Sequence, residues 1–175
     1  MRSRATFSDW ASWPEPVNGR LELIDGAATV HPRSDDHTQM ACLVAGLLYF
    51  GGEQPASAVG VVVGGHSVLV PDICLLGEEI DTPASDQDYA EGDGPWVATA
   101  DARRRRVRVA IDLDSDTRRL DLLEAAGVPG DWHIDPRGDL LAYKGEGPPE
   151  WFVESLAATP PPGCRFAGGT ATCDA

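Results

Sequence analysis

The sequence predicts an α+β (α/β) fold in which a mixed central β-sheet is flanked by helices. Short apolar runs at 21–24, 59–63, 67–70, 73–76, 107–113 and 140–144 have strand length. Turn dipeptides such as Asn18-Gly19, Asp25-Gly26 and Gly64-Gly65 punctuate them. One stretch, 36–50, instead repeats Met40, Leu43, Val44, Leu47 and Leu48 at helical spacing. No internal repeat interrupts this alternation of elements.

Taken in order, residues 7–13 place Phe7, Trp10 and Ala11 at i, i+3, i+4 spacing, with Ser8 as a candidate N-cap and Pro14 as the stop. A strand over 21–24 is folded back by Asp25-Gly26 onto 27–30. Ser34 or Asp35 caps the 36–50 helix, and Gly51-Gly52 ends it. Three strands follow at 59–63, 67–70 and 73–76. Residues 78–94 are acidic, carry Pro and Gly and have no period, so they read as an exposed loop. The 107–113 strand precedes a short helix over 120–126 that stops at Gly127. Residues 131–134 and 140–144 then form a hairpin around Asp135-Pro136-Arg137-Gly138.

With 175 residues and 42% hydrophobic content, the chain suits one domain over 1–150. Residues 151–175 read as a C-terminal extension whose Pro/Gly-rich last part is expected to be disordered. No apolar stretch approaches the roughly 20 residues that cross a bilayer, and the N-terminus lacks a signal-peptide apolar core, so no membrane partner and a cytoplasmic location are expected. Cys42, Cys74, Cys164 and Cys173 form no C-x-x-C pair, which argues against a zinc ribbon; reduced thiols are expected, with a Cys164–Cys173 pairing left open. The net charge of -14 repels nucleic acid at long range and counts against a general DNA-coating role.

Candidate chemistry centres on V-L-V-P-D-I at 68–73. Pro71 cannot donate to a ladder, so pairing should loosen there and leave Asp72 at a strand end facing solvent. Asp112 ends the 107–113 run in the same way. Two such carboxylates are a candidate divalent-cation site; two ordinary solvated strand ends are the alternative. Glu22 alternates with Leu21 and Leu23, and on an inner sheet face it would need a partner or a metal. His37, in the first turn of a helix, reads as structural or as a phosphate contact. The run Arg103, Arg104, Arg105, Arg106 and Arg108 reads either as a phosphate contact near the site or as a charged strand edge.

In order, the pieces F-S-D-W, G-R-L-E-L-I-D-G, His37 opening a helix, V-P-D-I, V-A-I-D-L-D-S, A-G-V-P-G-D-W-H-I-D-P and L-L-A-Y resemble the Uma-type restriction endonuclease family, a branch of the PD-(D/E)xK nuclease superfamily. The resemblance covers residues 7–144. It implies a restriction endonuclease-like core and a metal-dependent endonuclease that hydrolyses phosphodiester bonds of DNA. It also implies Mg2+ or Mn2+ as cofactor, and a homodimer where both strands are cut.

By position, Glu22 matches the family's early glutamate and Asp72 the aspartate of the PD motif. Asp112 falls where the family has a glutamate, and Arg119 where it has a lysine. The resemblance therefore implies Glu22, Asp72 and Asp112 as metal ligands, with Arg119 facing the phosphate. This chain departs from the pattern in three ways. Asp112 is one methylene shorter than glutamate, with Asp114 as a candidate supplement. The segment after Ser115 is shortened, so the tyrosine position falls on Leu123. Arg119 keeps the charge of lysine but cannot take a proton from water, and the only lysine, Lys144, lies on a later strand. A catalytically inactive nuclease-fold protein, acting as a binding or structural module, is the alternative; accidental motif matches in an unrelated acidic α/β protein are a third reading.

Overall fold

The computed structural model describes residues 4–17, 19–57, 59–80, 96–98, 104–113, 118–135, 139–159, 164–167 and 170–173. The first helix, α1 (Phe7–Ala11), is capped by Thr6 and not by Ser8. Thr6 has extended backbone angles and accepts from the Asp9 N–H, and the Asp9 carboxylate accepts from Thr6 N at 2.8 Å. This reciprocal box satisfies two donors that a cap at Ser8 would leave orphaned.

The hairpin β1 (Gly19–Ile24) and β2 (Ala27–Pro32) is antiparallel, and its turn residues Asp25 and Gly26 both have positive φ, 51° and 79°. That is the backbone a two-residue Asp-Gly turn selects. Next comes α2 (Asp35–Phe50), capped by Ser34, with Met40, Val44 and Leu48 buried. The strands β3 (Pro55–Ser57), β4 (Val61–Gly64), β5 (Ser67–Leu69), β6 (Ile73–Ile80), β7 (Trp96–Ala98) and β8 (Arg104–Asp112) follow. Neither β3 nor β7 is legible in the sequence, since three residues are too few to show a period. Most of the acidic 78–94 stretch lies outside the described residues.

The mixed sheet is built around β8. One edge of β8 pairs with β6 antiparallel. Its other edge is shared by β7, antiparallel along the first half, and β9 (Gly130–Ile134), parallel along the second. The parallel crossover runs through α3 (Arg118–Ala125), and β10 (Leu140–Gly145) extends the sheet beyond β9. A register shift pairs Leu75 with Val109 but Leu76 with Val107, so Arg108 forms a bulge. The bulge turns Val107 and Val109 to opposite faces.

Helices cover both faces of the sheet. On one, Ile73, Val109, Ile111, Trp132 and Ile134 pack against α2 and against α4 (Glu150–Ala157) through Phe152 and Leu156. On the other, Cys74, Val107 and Ala110 pack with Leu123 of α3. Residues 150–157 are therefore part of the larger core. Beyond them β11 (Cys164–Ala167) and β12 (Thr170–Cys173) form an antiparallel hairpin, in the segment expected to be disordered. Among the described residues no helix is long and apolar enough to cross a membrane.

Candidate functional site

Alternation along β1 gives Arg20 and Glu22 one face and Leu23 the other, and the first face meets the ends of β5, β6 and β8. Pairing does stop around Pro71, since β5 ends at Leu69 and β6 begins at Ile73. Asp72 is nevertheless 2% exposed rather than solvent-facing. The break in the ladder turns its carboxylate inward, where Leu113 N donates to Oδ2 at 2.9 Å. Asp112 and Glu22 are fully buried.

These three carboxylates lie around two buried guanidiniums. Arg20 Nη1 is 3.2 Å from Asp72 Oδ1 and 3.0 Å from Asp112 Oδ1, so those two oxygens lie within the sum of the two contacts. Arg119 Nη2 is 2.7 Å from Glu22 Oε1 and 3.2 Å from Asp112 Oδ1. Val70 N donates to Glu22 Oε1 at 2.7 Å, and His31 Nε2 is 3.0 Å from Oε2. At the rim, Arg33 Nη2 and His37 Nε2 reach Asp72 Oδ1 at 2.9 and 2.8 Å. Clefts reach this cluster from two sides: one of about 300 Å³ lined by Trp10, Trp13, Arg20 and Arg33, and one of about 370 Å³ lined by Arg33, His37 and Asp72.

Burial pushes the Asp72 pKa up, but the His37 hydrogen bond, the charges of Arg20 and His37 and the Leu113 N–H together outweigh it and hold the carboxyl below its usual range. The neighbouring Cys74 thiol is pushed far up, first by burial and then by the charges of Asp112 and Asp72.

All four residues singled out from the sequence, Glu22, Asp72, Asp112 and Arg119, thus share one cluster. Asp114 lies outside the described residues. Sequence reasoning missed Arg20, although its two-residue offset from Glu22 placed both on one strand face. It also missed Asp131 and His133 on β9, whose parallel register sets His133 beside Asp112. Burial raises the Asp131 pKa to about 7, with Lys144 opposing and Glu124 adding to the rise. Lys144 itself donates to Asp121 at 3.1 Å and Glu124 at 2.6 Å, on α3. Of the arginine run, Arg105 donates to Gly77 O, and Arg108 pairs with Glu53 and Glu146. Arg105 lies seven residues from Asp112 along β8, about 20 Å away, and turns to Gly77 rather than to the buried cluster.

No family model matches the sequence, and no curated protein matches it. A solved structure from Anabaena variabilis, described as "a putative nuclease belonging to DUF820", is similar with a TM-score of 0.48 and 13% identity. The likeness covers 86% of this chain and 92% of that one. At that distance it carries no residue across.

Proposed function

We propose that the chain is a divalent-metal-dependent nuclease that hydrolyses phosphodiester bonds of DNA. The observation that carries the reading is the convergence of Glu22 from β1, Asp72 from the break between β5 and β6, and Asp112 from β8 on one buried cluster that also holds Arg119. Three carboxylates are the donor chemistry that Mg2+ or Mn2+ takes, at about 2.0–2.6 Å. Bound there, such an ion would neutralise charge on the scissile phosphate and lower the pKa of a water.

The donor set fits a hard cation on one condition. Arg20 Nη1 stands between Asp72 and Asp112, so for those two carboxylates to hold an ion the guanidinium would have to move aside. Arg20 and Arg33, once released from the carboxylates, offer their N–H groups to phosphate oxygens, the geometry guanidinium favours. Arg119 holds Glu22 and Asp112 in position and stays charged, so it clamps and orients without accepting a proton. His37, at the rim on Asp72, is placed to pass a proton to solvent. Cutting both strands would call for a symmetric pair of such sites.

A specific observation favours a second reading, an inactive nuclease-fold binding module. Asp72 Oδ1 is already met by Arg20, Arg33 and His37, leaving the acidic cluster neutralised by the chain itself. A cleavage assay on supercoiled plasmid and single-stranded DNA, with Mg2+, Mn2+ or EDTA, separates the two. Nicking that needs the ion and disappears in Asp72→Asn supports the nuclease. A folded protein that cuts under none of these conditions supports the module.

A further inference from the structure

We propose that Asp112, Asp131 and His133 form a second metal site, one for a borderline transition-metal dication such as Co2+ or Zn2+. The segment D-W-H on β9 puts Asp131 and His133 on one sheet face and Trp132 on the other, where its ring meets Phe152 at 5.5 Å. The parallel register with β8 pairs His133 with Asp112, and Asp131 with Ala110, whose methyl leaves room above it.

The result is one imidazole and two carboxylates whose ligand atoms all lie within 4.8 Å of one another. All three residues are at least 98% buried. His133 Nε2 and Asp131 Oδ1 are 3.7 Å apart, close to the ~3.4 Å separating two donors on a tetrahedral ion with bonds near 2.1 Å.

A second observation points to a ligand. Both carboxylate oxygens of Asp131 are buried with no hydrogen-bond partner among the described residues, an arrangement that costs free energy unless the carboxyl takes up a proton or a cation. The cation best placed to meet them, Lys144, sits opposite Asp131 in the β9–β10 ladder. Its ammonium instead donates to Asp121 and Glu124.

The imidazole decides the class of ion. Imidazole suits Zn2+ and the later first-row ions, for which Co2+ is a spectroscopic stand-in, whereas Mg2+ and Mn2+ prefer oxygen donors and water. Asp112 is shared with the cluster assigned to cleavage, but Asp131 and His133 lie outside it, so binding that depends on those two is distinguishable from the proposed cleavage site.

The test is titration of the EDTA-stripped full chain with Co2+, followed by visible absorption and calorimetry, against Mg2+ as control. Co2+ should bind with a ligand-field band, and His133→Gln and Asp131→Asn should each weaken that binding by roughly 100-fold or more, at least the loss seen when supporting groups of a metal site are removed. Asp72→Asn, which is expected to abolish cleavage, should leave the His133-dependent Co2+ band in place. Should the variants fail to fold, the wild-type protein decides: Co2+ should shift the His133 ring resonances paramagnetically. Equal Co2+ affinity in wild type and both folded variants, or His133 resonances untouched at saturating Co2+, would overturn the site.

Discussion

Arg20 Nη1 donates to Asp112 Oδ1 at 3.0 Å across 92 residues of sequence, with both side chains essentially out of solvent. The same nitrogen lies 3.2 Å from Asp72 Oδ1, so one guanidinium holds together the two carboxylates that resemblance assigns to a metal. Removing it should leave two buried charges facing each other. Arg20→Met is expected to destabilise the metal-free protein by about 3–5 kcal/mol, the usual cost of stripping one partner from a buried ion pair. Mg2+ or Mn2+ should restore part of that loss, read as a shift in the urea unfolding midpoint. A variant as stable as wild type, and indifferent to the ions, would rule out the bridging role.

Asp131 makes stability depend on pH. Its folded pKa of about 7 lies above the unfolded 3.8, so the folded state binds the proton more tightly. Its contribution is fully present below 3.8 and is lost as pH rises through 7. In EDTA, wild type should therefore lose stability between about pH 4 and 7 relative to Asp131→Asn, in which the group does not titrate. Parallel profiles of urea midpoint against pH would contradict this.

Thiol chemistry should separate Cys42 from Cys74. Cys42 is exposed; Cys74 is buried beneath Asp72 and Asp112, which with burial disfavour its thiolate. Alkylation under native conditions, followed by peptide mass mapping, should label Cys42 quickly and Cys74 only in denaturant. Native labelling of Cys74 would mean that the cluster opens.

The place of α4 is tested by Phe152→Ala. Phe152 is fully buried between α2 and the sheet and stacks near Trp132. Its truncation should cost about 3–5 kcal/mol. A loss below about 1 kcal/mol would return residues 150–157 to the status of an appendage.

The long elements were legible because their periods are long enough to read. Leu43, Val44, Leu47 and Leu48 announce α2, and V-A-I-D-L announces β8. Three-residue β3 and β7 carry no period, and the cap of α1 moved to Thr6 because a reciprocal partner stood at Asp9. W-F-V-E-S-L reads from the sequence only as the start of a C-terminal extension because what it covers, Met40 to Leu48 and Trp132, is distant in sequence.

By itself the sequence determined the alternation of strands and helices, the break at Pro71, and which residues carry carboxylates at strand ends. Those are local properties, fixed by spacing and by proline's missing donor. Only the tertiary structure decided which charges meet. Arg20, Glu22, Asp72, Asp112 and Arg119 come together because β1, β6, β8 and α3 converge, and the parallel pairing of β8 with β9 adds Asp131 and His133. Whether a buried carboxylate faces a guanidinium or stands without a donor depends on packing across 50 to 90 residues of chain, a distance over which no sequence period reaches.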